Sequence, residues 1–243
     1  MKKNQNVKTL TIKETIPLNS RILFKNQGCV VVNKLAGEAV EGADKGMIDL
    51  QAQLLHYLKG EIKLVEAVNR IDVPVTGCAL FALEKETLVF LNNVFSSNNL
   101  LIEKKYWAVA EKPSACLPES AEHIHWIKTN TRINKSFAYD KEKKGLKKAV
   151  LKYKIIKQGD NYLFMEIDLL SGRHHQIRAQ LASIGLHIKG DLKYGARRSE
   201  KNGGIRLHSR LISFPNPDNE NEKITVTADP PVIDNLWKSF LPL

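Results

Sequence analysis

Residues 150–170 read VLKYKIIK, then QGDN, then YLFMEIDLL. Two stretches rich in β-branched and aromatic residues, joined by four turn-forming residues, pair as an antiparallel hairpin. A hairpin of this length needs one covered face and neighbours along its edges, so it commits the chain to a larger sheet. Other stretches qualify as those neighbours. CVVVNK (29–34) is a short buried strand, KKYWAVAEK (104–112) alternates, and IRLHSRLISF (205–214) and EKITVTA (222–228) follow late in the chain. KLVEAVNRI (63–71) and CALFALE (78–84) read as strands on either side of a joint.

Helical patterns are fewer. MIDLQAQLLHYLKG sets Ile48, Leu54, Leu55 and Leu58 near helical spacing and ends at Gly60, and KETLVFLNNVFSS puts Leu88, Leu91 and Phe95 on one face. SGRHHQIRAQLASIG offers Ser171 as N-cap, Ile177, Leu181 and Ile184 as an apolar face, and Gly185 as C-cap. PPVIDNLWKSF reads as a last short helix beginning at proline. Residues 113–148 are polar and irregular and end in KEKKGLKKA, a solvated segment able to touch phosphates without selecting a sequence. No β-α-β-α alternation and no Gly-rich phosphate loop occurs. The expected fold is therefore α+β, a mostly antiparallel central sheet flanked by helices. With 243 residues and 43% hydrophobic content, the chain can build one sizeable core. We divide it into a short N-terminal extension, 1–28, and one folded unit, 29–243.

The charge points to a partner. Lys and Arg number 37 against 26 Asp and Glu, a net charge of +11. Such a surplus draws polyanions, nucleic acid first and membrane surfaces second. Cys29, Cys78 and Cys116 are odd in number and widely spaced, which argues against a disulfide framework and for a reducing compartment. The N-terminal segment is polar and lacks the apolar core of a signal peptide, and no stretch reaches the ~20 apolar residues of a membrane helix. A cytoplasmic protein is the expectation.

The joint at 69–77 reads NRIDVPVTG. Pro74 biases Val73 to an extended shape and Gly77 permits a tight turn, so Arg70 and Asp72 sit on a fixed loop between strands. Alone, Asp72 would be a turn residue. Tyr106 in a strand would be core, and Arg178 would lie on a helix surface. His174 and His175, adjacent on a helix, would point about 100° apart and make a poor metal pair, and no metal site is expected.

Taken together, six segments in order from residue 29 to 217 resemble the RluA-type family of RNA pseudouridine synthases. VVVNKLAG resembles its V-V-N-K-P-x-G strand, with Leu35 at the proline. Asn69-Arg70-Ile71-Asp72 with Thr76-Gly77 resembles its H-R-L-D signature, with Asn69 at the histidine. KKYWAVAEK matches K-x-Y-x-A, and Gly172 to Arg178 matches G-R-x-H-Q-I/L-R intact. Gln180 stands where a histidine often follows. Gly190, Asp191, Tyr194 and Gly195 match G-D-x-x-Y-G, and LHSRLISFPNP resembles L-H-A-x-x-L-x-F-x-H-P, with Asn216 at the histidine.

The resemblance implies a pseudouridine synthase fold with a central RNA-binding cleft, and isomerisation of uridine in structured ribosomal or transfer RNA without a cofactor. It also implies a monomer, and it implies that the small N-terminal RNA-binding module of many relatives is absent. It makes Asp72 the catalytic carboxylate, Arg178 its ion-pair partner and Tyr106 the ring that stacks on the uracil and takes a proton from carbon 5. Ile177 would pack under the base, Arg70 would contact the RNA strand, Arg173 would support the pocket or contact RNA, and His175 and Gln176 would support the pocket by hydrogen bonds. Two other readings compete. A non-catalytic RNA-binding descendant would bind without turnover, and a glycosidic hydrolase would need a second carboxylate.

Overall fold

The computed structural model describes residues 16–43, 47–60, 62, 64–96, 101–200 and 202–241. Most of the polar N-terminal segment lies outside the described residues. The elements in chain order are β1 (Ile22–Lys25), β2 (Cys29–Lys34), α1 (Leu50–Tyr57), β3 (Glu66–Ala67), β4 (Thr76–Ala82), α2 (Lys85–Ser96), β5 (Glu103–Glu111), β6 (Ser120–Asn130), β7 (Lys135–Tyr139), β8 (Lys147–Gln158), β9 (Tyr162–Leu169), α3 (Gln176–Ser183), β10 (Leu207–Asn216), β11 (Asn219–Thr227) and α4 (Asn235–Phe240). The fold is α+β, as expected. One 11-stranded sheet runs β1-β2-β4-β10-β5-β9-β8-β6-β7, with β11 added to β10 and β3 to β4. Among the described pairs only β4 and β10 run parallel.

The middle of the sheet is covered on both faces. Along β2, Val30 and Val32 enter a core shared with Leu50 and Leu54 of α1 and Ile177 and Leu181 of α3. Cys29 and Val31 point the other way, toward Leu80, Leu91 of α2 and Phe214. A strand buried on both faces reads as the unbroken apolar run seen at 29–34. A third cluster closes the far side, where Val109 and Phe164 meet Trp237 and Phe240 of α4. The outer wing β8-β6-β7 is different. On β8, Ala149, Leu151, Tyr153 and Ile155 are buried while Lys148, Lys152 and Lys154 are exposed. The hairpin of β8 and β9 forms as read, closed by Gly159 N–H on Tyr162 O at 2.8 Å.

Several local readings are corrected. Residues 113–148, read as irregular, contain β6 and β7 and the start of β8. Their exposed positions mix lysines with rings such as Phe137 and Tyr139, and part of their inner face is polar, with His125 and Ser136 buried, so the alternating apolar signal is weak. The strand read at 63–71 shrinks to Glu66–Ala67, and its first residue, 63, lies outside the described residues. Its only edge of β4 is shared, with β3 pairing at Phe81 and Ala82 and β10 at Thr76 and Gly77, so the chain must leave the sheet at Asn69. The sheet also begins at Ile22, ahead of position 29, because β1 finds the free edge of β2.

Helix limits differ as well. In α1 the buried positions are Leu50 and Leu54, followed by Leu58 just past its end, while Ile48 before it and Leu55 within it are exposed. Asp49 caps that helix, its carboxylate accepting from Ala52 N–H at 2.8 Å. For α4 the cap is Asp234, accepting from Trp237 N–H, so the prolines precede the helix rather than open it. Ser171 does not cap α3. Its hydroxyl accepts from Val150 N–H at 2.8 Å and donates to Gln176 Oε1 at 2.8 Å, tying the turn to β8, and the helix starts only at Gln176. Its C-terminus closes with Gly185 N–H on Ala182 O and Leu186 N–H on Leu181 O, with Gly185 at φ +79°, the left-handed closure that the glycine there supplies.

Candidate active site

The joint 69–75 is held from three directions. Asn69 Oδ1 accepts from Leu80 N–H at 2.7 Å, fixing the start of the loop to β4. Ile205 N–H donates to Pro74 O at 3.0 Å, and Gly37 N–H donates to Val73 O at 2.8 Å. Lys34, fully buried, donates from Nζ to Leu35 O, Glu38 O and Val73 O at 2.9, 2.8 and 3.1 Å. Three acceptors match the three donors of an ammonium group. Burial nevertheless pulls its pKa down to about 7, against the opposing pull of Glu38 and Asp72. At the end of the joint, Thr76 Oγ1 lies 2.8 Å from His208 Nδ1. The other ring nitrogen of His208 faces Ala228 O at 2.8 Å and must donate to it, so Nδ1 accepts the threonine hydroxyl.

This loop aims Asp72 at α3. Arg178 Nη1 donates to Asp72 Oδ2 at 2.9 Å. The same guanidinium grips Asp191 bidentately, Nε to Oδ2 at 2.7 Å and Nη2 to Oδ1 at 2.8 Å. Asp191 is 2% exposed, whereas the Asp72 side chain keeps 24% exposure. One carboxylate is therefore structural and closed off, and the other is open. Burial opposes the charge on Arg178, but the bonds to Asp191 and the charge of Asp72 outweigh it, so its pKa is raised and it stays a cation. The guanidinium also lies 4.9 Å from the Tyr194 ring centroid. Arg178 is the third residue of α3, because the helix starts at Gln176 and not directly after Ser171.

The segment before α3 completes the site. His175 adopts φ +52° and sends Nε2 to 3.6 Å from Asp72 Oδ2 and Nδ1 to 2.9 Å from the Tyr194 hydroxyl. Burial pulls its pKa down to about 4, Asp72 opposing and Arg178 assisting, so the ring is neutral at pH 7. The Tyr194 hydroxyl also donates to Ser136 O at 3.1 Å and accepts from Ser136 N–H at 2.8 Å, tying His175 to β7. His174 stacks on His175 at 3.8 Å with an interplanar angle of 20°, not diverging as a helical pair would. Its Nδ1 lies 2.9 Å from Ser136 Oγ and its Nε2 lies 2.9 Å from Asn134 Oδ1, so it joins the β6–β7 turn to the site.

Tyr106 comes from β5, opposite Ile167 of β9 and Ser209 of β10. It is 6% exposed and shares the main core with Ile177, itself 4% exposed. Burial raises its phenol pKa, Ser209 offsets this in part, and the Asp72 charge adds to it. The phenol is thus neutral at pH 7 and under the influence of Asp72. Gln176 Oε1 accepts from Arg173 N–H at 3.0 Å and its Nε2 donates to Val150 O at 3.1 Å, bracing the turn. Arg173 Nε donates to Lys148 O at 3.1 Å. Arg70 stands apart, 74% exposed and paired with Glu41 at 3.2 Å. Among the described residues no group of three or more His, Cys, Asp or Glu is placed to hold a metal ion, and no helix is long and apolar enough to cross a membrane.

Asp72, Tyr106 and the His175–Arg178 pair thus converge from three distant segments. Asp191, Tyr194 and Lys34 belong to the same assembly, although the sequence reading quoted them only as motif letters. The arrangement holds a partly open carboxylate beside a buried cation and an aromatic ring, which suits nucleophilic chemistry on a planar base.

Comparison with known proteins agrees. Residues 28–183 match the family model described as RNA pseudouridylate synthase. A relative from Rickettsia conorii named "Ribosomal large subunit pseudouridine synthase C" is 32% identical over 179 residues, covering 72% of this chain and 56% of that protein. A relative from Haemophilus ducreyi named "tRNA pseudouridine synthase C" is 28% identical over 236 residues, covering 89% of this chain and 92% of that protein. The chain thus spans little more than half of the Rickettsia relative. Among solved structures, human RNA Pseudouridylate Synthase Domain Containing 4 superposes with a TM-score of 0.70 over 91% of each chain at 20% identity, a likeness of fold. The chain belongs to the RNA pseudouridylate synthase family, in the RluA-type branch that its motifs resemble.

Proposed function

We propose that this chain isomerises uridine to pseudouridine in structured RNA, with Asp72 as the nucleophile. The observation that carries this reading is the open Asp72 carboxylate held at 2.9 Å by a guanidinium that is itself locked to Asp191. The reaction breaks the bond from ribose carbon 1′ to uracil nitrogen 1 and forms one to carbon 5. The proton on carbon 5 is lost and nitrogen 1 gains one, so mass is unchanged and no redox partner or energy source enters. Both Arg178 Nη1 and His175 Nε2 face Asp72 Oδ2, which leaves Oδ1 free for attack. Arg178 sets a fixed cation against the attacking carboxylate at 2.9 Å. Tyr106 stacks on the extruded base; its phenol passes its own proton to nitrogen 1 of the detached uracil and regains one from carbon 5, so the exchange balances, and Ile177 packs beneath the base. The relatives' names include ribosomal and transfer RNA, and the target is read as a loop uridine, where extrusion costs least.

The test is tritium release from cellular RNA labelled at uracil carbon 5, supported by base-modification mapping. Wild type should turn over repeatedly and Asp72→Ala should release nothing measurable. Tyr106→Phe should stall or slow. Full turnover by Asp72→Ala would remove the aspartate from the chemistry.

A further inference from the structure

Away from the catalytic cluster, the solvent face of the β8-β6-β7 wing carries an unusual set of side chains. Strand register puts Trp126 of β6 between Tyr139 of β7 and Lys148 of β8, with Lys128 opposite Phe137 in the next row. Phe137 and Tyr139 are 39% and 40% exposed, Lys128 and Lys148 are exposed, and Trp126 is half-buried. The alternate positions His125, Ile127, Ser136 and Ala149 are buried on the other face, so these rings are not core residues that failed to be covered. Residues 128–148 hold eight Lys or Arg against two Asp or Glu, which is where much of the chain's excess charge collects. The two acids are Asp140, which lies 3.4 Å from His125, and Glu142, and further along the wing Glu122 pairs with Lys152 at 3.2 Å.

We infer that this face is a stacking platform for single-stranded RNA flanking the target uridine. The inference rests on the reading of the chain as an RNA-acting enzyme and adds a binding site to it. Phe137 and Tyr139 are two residues apart on one strand, hence about 7 Å apart, a spacing that suits successive bases of an extended strand. A duplex offers no base faces to them. Lysine amid the rings argues against a protein partner, whose docking core would be poor in lysine. The platform also continues into the site. Lys135 Nζ lies 5.6 Å from the Phe137 ring centroid and 5.0 Å from that of Tyr194, and Tyr194 packs on Arg178. A strand stacked on β7 is thereby led past Lys135 toward Asp72.

The experiment measures binding of fluorescein-labelled dodecauridine to the full chain by anisotropy across a salt series. Phe137→Ala and Tyr139→Ala should each weaken binding about tenfold with an unchanged salt slope, since stacking and not charge is lost. The paired change Lys128→Gln/Lys148→Gln should lower the log–log salt slope by about 0.7 for each lysine. Tyr139→Phe should bind as wild type, and Trp126 fluorescence should quench on binding. All of these sites are on the surface, and matching thermal midpoints check that the variants fold. Wild-type affinity in both ring variants would overturn the platform. So would equal affinity for a blunt RNA duplex of the same length with the same sensitivity to ring removal. The two readings separate cleanly. If the wild type isomerises RNA while the ring variants bind and react normally, only the platform falls. If no RNA releases tritium yet dodecauridine binding needs Phe137 and Tyr139, only the enzymatic reading falls.

Discussion

Arg178 is the residue on which the site's order depends. It satisfies a buried carboxylate with two bonds and an open one with a third, so its plane is fixed before Asp72 arrives. Removing either partner has different consequences. Asp72→Asn leaves the Arg178–Asp191 pair intact, and stability should change by less than about 1 kcal/mol, as for other partly exposed pairs. Arg178→Met strands Asp191, which is 2% exposed, and should cost about 3–5 kcal/mol. Urea unfolding of the two variants checks this, and equal losses would contradict it. The motifs singled out Asp72, Arg178 and Tyr106 in the sequence, and in the structure Arg178 Nη1 donates to Asp72 Oδ2 at 2.9 Å. Asp191 was in view as a motif letter, but its partnership with Arg178 crosses from α3 to the turn after it and has no signature in spacing. Arg70 shows the opposite limit. Its place in the motif said nothing of the exposed pair with Glu41 that it makes.

Among the elements, the meeting of β4 and β10 sets the loop. Gly77 has φ +111°, and a Cβ there would sit 2.2 Å from Ser209 O. Gly77→Ala would therefore have to push apart the strands that carry Thr76, His208 and, through β5, Tyr106. We expect a loss above about 3 kcal/mol, combining backbone strain with overpacking, and activity falling with it. Thermal denaturation and tritium release measure both, and a variant as stable as wild type would show that β10 can yield. The buried strands were legible because their apolar runs are unbroken. The wing strands β6 and β7 were not, because a strand wet on one face and lined by His125 and Ser136 on the other lacks the contrast that periodicity needs. The late start of α3 was hidden for a related reason. Ser171 has the right chemistry for a cap, but tertiary bonds to Val150 and Gln176 claim it first.

Over the whole molecule, pH acts through buried neutral histidines. Burial pulls both His175 and His208 down to about 4. In the unfolded chain they take up protons near pH 6.5, which the folded chain refuses until about pH 4. The unfolded state therefore binds more protons in that window, and stability present above pH 6.5 is lost as pH falls. Each histidine contributes a slope of about 1.4 kcal/mol per pH unit. Urea midpoints taken from pH 7.5 down to 4.5 should decline steadily, and a flat profile would mean these rings titrate as in water. What the sequence determined by itself was local or compositional. It fixed the strand-rich pattern, the hairpin at 150–170, the cationic surplus and the motif residues, because alternation, turn chemistry and charge are written along the chain. Only the tertiary structure decided which carboxylate is closed and which is open, how the two neighbouring histidines stack, and that the lysine-rich segment forms a sheet face studded with rings. Each of those depends on segments tens of residues apart meeting at hydrogen-bond distance, and burial and contact exist only once the sheet has closed around them.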